Sequence, residues 1–87
     1  MLDYIKTFCN IPLSVSIYDD NLTLQREIAI RRLELAGINP DESSPIVKDY
    51  IATYCRLQIV TEPTTNFVNF EEQRLQSLLE LMTYGGQ

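Results

Sequence analysis

Three pairs of neighbouring acids carry the most potential for chemistry in this chain: Asp19-Asp20, Asp41-Glu42 and Glu71-Glu72. Paired carboxylates can act as acid and base, or hold a divalent cation. Both roles need partners that this sequence lacks. It has no histidine, and so lacks the usual general base and metal ligand. Asp19-Asp20-Asn21 does not have the D-x-D-x-D-G spacing of a calcium loop. Each pair falls at an expected helix start or in a loop, where capping and solvation account for it. Cys9 and Cys55 form no C-x-x-C motif and read as two buried thiols in a reducing compartment. The residues therefore predict no catalytic site, no metal site and no cofactor, and a protein that is not an enzyme.

Ser43 and Ser44 follow acids at a helix start, as in acyl carrier proteins, which are likewise acidic and four-helical. The Asp-Ser-Leu attachment motif is missing: the order here is Asp41-Glu42-Ser43-Ser44-Pro45. The basic residues cluster only at Arg26, Arg31 and Arg32, with Glu27 and Glu34 interleaved, and Glu27–Arg31 is spaced as a helical ion pair. With a net charge of −5, this is a poor surface for gripping nucleic acid phosphates.

The elements that position these residues follow from periodicity. Eighty-seven residues make one domain whose own core is marginal, so packing against other chains is a common remedy. Leu2 to Asn10 carries Leu2, Ile5, Phe8 and Cys9 at helical spacing. Ile11 to Asp20 reads as an extended connector. A second helix is predicted from Asn21 to Ala36, capped by one of Asp19, Asp20 or Asn21 and closed by Gly37. Ser44-Pro45 then opens the most apolar helix, Pro45 to Val60. Its apolar residues spread over more than half the circumference, which places it at the centre with contacts on several sides. Thr61 to Asn69 reads as a loop holding Phe67, Val68 and then Phe70. A last helix from Asn69 or Phe70 to Tyr84 puts Glu71 and Glu72 in its first turn and shows one stripe, Leu75, Leu78, Leu79 and Met82. Gly85-Gly86-Gln87 is expected to fray. With Asp3 and Lys6 close behind Met1, no charged-then-apolar secretory leader is expected, and no run approaches the ~20 apolar residues of a membrane helix. The whole is an all-α, small four-helix domain spanning 1–87.

Two segments offer surface for other proteins. The second helix has two apolar stripes: Leu24, Ile28 and Leu35 on one side, Leu22, Ala29, Ile30, Leu33 and Ala36 on the other. Either the helix is wedged between neighbours of its own domain, or one stripe faces another subunit. Likewise Phe67, Val68 and Phe70 either pin their loop to the core or form a docking patch. The candidate interface residues are thus Leu24, Ile28, Arg31, Arg32, Leu35, Phe67, Val68 and Phe70.

The order of elements resembles the small head–tail connector (head-completion or adaptor) proteins of long-tailed phages. The resemblance rests on the opening Leu2-Asp3-Tyr4-Ile5-Lys6, a helix from Asp19-Asp20-Asn21 closing at Ala36-Gly37, the start Ser44-Pro45-Ile46-Val47-Lys48 leading through Ile51-Ala52-Thr53-Tyr54, and the Leu-rich last helix. The Ile11 to Tyr18 linker and the Arg-bearing second helix have no close counterpart in that pattern. The resemblance implies a structural virion protein at the head–tail junction, made in the host cytoplasm. It would form a homo-oligomeric ring, with a dodecamer as the suggested stoichiometry, between the phage portal and tail-side proteins. DNA would pass through the ring without specific binding, and no membrane is involved. The other expectation is a small intracellular adaptor that docks one protein partner through the second helix and the 61–70 loop.

Overall fold

A computed structural model describes residues 1–59 and 64–84, the last without its side chain. Val60, Thr61 to Pro63 and Gly85-Gly86-Gln87, assigned above to a helix end, a loop and a frayed tail, lie outside the described residues. The chain is an all-α four-helix domain: α1 (Leu2–Phe8), α2 (Asp19–Leu35), α3 (Pro45–Ile59) and α4 (Thr65–Tyr84). No strand occurs among the described residues, and the 11–18 connector runs through turns.

The helix ends are set by local chemistry. At the end of α2, the Gly37 N–H donates to the Glu34 carbonyl (3.0 Å) and the Ile38 N–H to the Leu33 carbonyl (2.9 Å). This paired closure needs a left-handed residue between the two donors, and Gly37 supplies it at φ +79. A Cβ there would meet no atom within 4 Å, so the requirement is torsional and not spatial. Ile38 follows directly into the core. The same closure ends α1, with Asn10 at φ 61. There the Asn10 N–H reaches the Thr7 carbonyl (3.1 Å) and the Ile11 N–H the Lys6 carbonyl (2.8 Å).

Two helix starts differ from the sequence expectation. α2 begins at Asp19, with Tyr18 at the cap position and no side-chain cap; Asp19 and Asp20 lie in the first turn, where the helix dipole favours them without a capping bond. α4 begins at Thr65. The Phe67 N–H donates to Thr64 Oγ1 (3.0 Å), so Thr64 caps this helix and Asn69 lies inside it. Phe67, Val68 and Phe70 are therefore helical residues and not loop residues.

α3 is the axis of the packing. α2 and α4 each lie along it, and α1 packs on both α3 and α2. The arrangement measures 37 × 29 × 18 Å. Val47, Ile51, Ala52, Thr53 and Cys55 have no exposed surface, and Tyr50 and Tyr54 very little. Ala52 and Cys55, at the polar margin of the helical wheel, are as buried as its apolar face. Small side chains there let neighbouring helices approach closely from every direction. The stripe on α4 is inward as the pattern required, with Leu75, Leu78 and Met82 buried, Leu79 half-buried and Leu81 left outside.

Ile51→Ala removes a fully buried aliphatic side chain at the centre of this axis. It should cost about 2–5 kcal/mol, read as a drop in the denaturant midpoint with an unchanged slope. Leu57→Ala, at a half-buried position, should cost less.

Candidate protein interface

The seven basic residues are almost all spent inside the fold. Lys6, buried to 3% exposure, sits 2.6 Å from Asp19 Oδ1 and donates to the Leu13 carbonyl (3.3 Å). The contact with Asp19 is an ion pair by distance but is not aligned as a hydrogen bond. It ties α1, the connector and the start of α2 together. Arg26 makes a two-pronged pair with Glu42, linking α2 to the loop before α3. Arg74 on α4 holds both oxygens of Asp49 on α3 (2.8 and 2.7 Å) and donates to Thr53 Oγ1 (3.3 Å). Arg56 on α3 pairs with Glu71 on α4. Arg32 lies 4.9 Å from the centre of the Tyr54 ring, and Lys48 lies 5.6 Å from that of Tyr4. Arg31 alone points well into solvent, 70% exposed, with Glu34 3.6 Å away. The expected Glu27–Arg31 pair is thus replaced by Arg31–Glu34, and the Arg26, Arg31, Arg32 cluster is split three ways.

Glu71 corrects another expectation. It lies beyond the first turn of α4 because the helix starts four or more residues earlier than predicted. It is 1% exposed and faces Arg56 from within the core. Glu71 Oε2 and Arg56 Nε are buried without a hydrogen-bond partner. Phe8 stacks on the Arg56 guanidinium at 4.5 Å, so α1 closes over the pair. Such a pair holds two helices in register more than it stabilises them. Burial raises the pKa of the half-buried Cys9 thiol; nearby Arg56 opposes the shift and Glu71 adds to it. Burial pushes Cys55 up to about 12, with Cys9 adding to the shift and Arg26 opposing it. Neither thiol is an activated nucleophile. Among the described residues, no group of three or more His, Cys, Asp or Glu is placed to hold a metal.

Two open grooves lie on the surface. One, of about 290 Å³, runs between α3 and α4 past Arg32, Tyr50, Glu72 and Gln76. The other, of about 490 Å³, lies at the α2–α3 loop beside Met82 and Thr83. Neither has a buried charged group turned into it.

The apolar surface is placed more tellingly. Of the two stripes on α2, Leu22, Ala29 and Leu33 are fully buried and Ile30 is half-buried, whereas Ala36 is exposed at the helix end. The other stripe is turned outward: Leu24 is 53% exposed, Ile28 37% and Leu35 73%. Arg31 lies on the same outer face. Ile17 and Tyr18, also exposed, precede this face in the chain. The structure thus brings four of the candidate residues onto one surface. Arg32 turns aside onto Tyr54. Phe67 and Val68 are half-buried on α4, and Phe70 stands alone at 65% exposure. The buried ion pairs were missed by sequence reasoning. Their one signal was the isolated charge inside an apolar stretch, as at Lys6 and Arg56.

No family model matches the chain, and no curated protein or solved structure matches it. No helix among the described residues is long and apolar enough to cross a membrane.

Arg56→Ala should leave the Glu71 carboxylate buried and unpaired. Allowing for the one-third exposure of Arg56, the loss should be about 2–4 kcal/mol, and the double change Arg56→Met with Glu71→Met should recover most of it. Cys55 should resist a thiol reagent at pH 8 until the chain unfolds. The folded Cys55 keeps a proton that the unfolded chain releases above about 9, so its contribution to stability is full below that pH and is lost as pH rises towards 12. Equilibrium unfolding across that window, against a Cys55→Ala control, checks the sign.

Proposed function

We infer that this chain is a non-enzymatic structural protein that works by assembling with other proteins, in the manner of the head–tail connector proteins of long-tailed phages. The observation that carries the assembly reading is the outward apolar stripe of α2, Leu24, Ile28 and Leu35, which share one helix face, whereas the other exposed large apolar residues are spread over α1, the 11–18 connector and α4. An exposed row of this kind marks a contact surface more often than a solvated one. The connector reading is supported by the element order with which the chain resembles that family: a short first helix, a second closing at Gly37, a third opening at Pro45 and a Leu-rich fourth. The partners would then be further copies in a ring, the portal, and a tail-side protein, within the virion.

The charge arrangement favours the same reading. Lys6, Arg26, Arg56 and Arg74 are engaged in ion pairs between elements, while Asp3, Asp20, Glu27, Asp41, Glu72 and Glu80 have no basic partner among the described residues. A surface of unpaired acids repels phosphate, as suits a channel wall past which DNA must slide.

The test is co-expression with the portal and tail-side proteins encoded in the same genome. Co-purification as a ring seen by electron microscopy is expected, as is no retardation of duplex DNA at low salt. A chain that never associates with the portal, or that shifts DNA in a salt-dependent way, would overturn this function.

A further inference from the structure

The outer stripe of α2 has a register of its own. Asn21, Leu24, Ile28, Arg31 and Leu35 are spaced 3, 4, 3 and 4 residues apart, the repeat of a coiled-coil seam. All five are exposed, on the side of α2 away from Leu22, Ala29 and Leu33. In heptad terms Asn21, Ile28 and Leu35 take the a positions and Leu24 and Arg31 the d positions. Asp20, Glu27 and Glu34 fall on the g flank, and Gln25 and Arg32 on the e flank.

We propose that this face binds a second copy of the chain, α2 against α2, as a parallel two-stranded seam. The flanks decide the occupant and its direction. In a parallel pair each g residue meets the e residue five positions later on the partner helix. Glu27 then meets Arg32 of the second copy, twice by symmetry, the exposed Arg32 guanidinium leaving the Tyr54 ring to do so, and Asp20 meets Gln25. In an antiparallel pair g meets g, which would set the acidic flank Asp20, Glu27, Glu34 against itself. The seam residues agree with the parallel choice. A β-branched residue at a, Ile28, with Leu at d, Leu24, favours two parallel strands, and an Asn at a, Asn21, fixes register by meeting its own copy. Asn21 now accepts a bond from Gln25 Nε2 (3.2 Å) and is otherwise in solvent.

Two features set the strength. The seam from Asn21 to Leu35 is fifteen residues, roughly 22 Å of helix, and is short for a stable interface. Arg31 also places a cation at a d layer, eased by Glu34 on its own helix (3.6 Å). The dimer is therefore weak and concentration-dependent. Its two-fold contact closes on itself, so a ring and any portal contact would have to be built by other faces; the inference shares with the proposed function only the use of this stripe as a contact surface.

The full chain is examined by sedimentation equilibrium up to millimolar loading, with thermal unfolding by circular dichroism as the check on folding. A monomer–dimer equilibrium is expected. Ile28→Glu should raise the dissociation constant by tenfold or more while leaving the unfolding midpoint close to wild type, and Arg31→Leu should lower it by about tenfold. Glu27→Lys should weaken the dimer and Glu27→Lys with Arg32→Glu should restore it. A Glu27→Lys dimer that tightens would show an antiparallel seam and overturn the proposal. A chain that stays monomeric throughout, including Arg31→Leu, would also overturn it, as would larger assemblies indifferent to Ile28→Glu or a stable complex in which a different protein occupies this face. Portal binding through other faces is read separately and leaves this inference untouched.

Discussion

The domain depends on one constraint: α3 has to be covered from all sides at once. Val47, Ile51, Ala52, Thr53 and Cys55 include both edges of what would be a polar margin on an ordinary amphipathic helix, and all are fully buried. A helix buried all round cannot be stable on its own surface, so α1, α2 and α4 are obligatory and the domain folds around α3 or not at all. The small residues Ala52 and Cys55 are what permit this. A longer side chain at either would hold one of the flanking helices away and open a void along the rest of its length.

Coverage by three helices creates an electrostatic problem, which the chain solves with pairs that cross between elements. Lys6–Asp19, Arg56–Glu71 and Arg74–Asp49 each join two different helices, and Arg26–Glu42 joins α2 to the loop that feeds α3. Such pairs contribute little net stability where exposed and are costly to break where buried. Their common effect is to fix which helix lies where. A second consequence is that the cations are consumed. Each pair removes one acid together with its cation, so the net charge of −5 is carried by the acids left without a basic partner, with Arg32 and Lys48 laid on tyrosine rings.

Much of the fold was legible because its signals are local. Ser44-Pro45 marks the start of α3, Gly37 the end of α2, and the spacing of Leu75, Leu78 and Met82 the inward face of α4; each acts within one or two turns. The start of α4 was misread for an equally local reason. Thr64 and Asn69 are both competent caps, and the short run Phe67-Val68 looks like an anchored loop unless it is joined to the helix that follows. The roles of Lys6 and Arg56 were not legible, because a charge within an apolar pattern declares that it needs a partner without saying which one; Glu71 and Arg74 lie in a polar run and gave no sign of an inward role. Only the topology brings Arg56 and Glu71 together, fifteen residues apart across two elements. The two stripes on α2 were visible, but whether the second was covered depended on where α4 goes. α4 lies along α3, which leaves Leu24, Ile28 and Leu35 open.

That open stripe is not explained by the needs of α2. Exposed single apolar residues are ordinary and call for no account. Three on one line, in a helix whose opposite face is already buried, are a different matter. A surface position on a helix is best filled by Ala, Glu, Lys, Gln or Arg, and the β-branched Ile28 loses side-chain freedom there without any intramolecular burial to offset it. Charged residues flank the stripe, Asp20, Glu27 and Glu34 on one side and Arg32 on the other, and within it Arg31 is the one charge. Within the isolated domain these side chains cost a little and return nothing. Covering the face would recover their free energy, and that difference is the physical ground for proposing that α2 makes a contact outside its own domain.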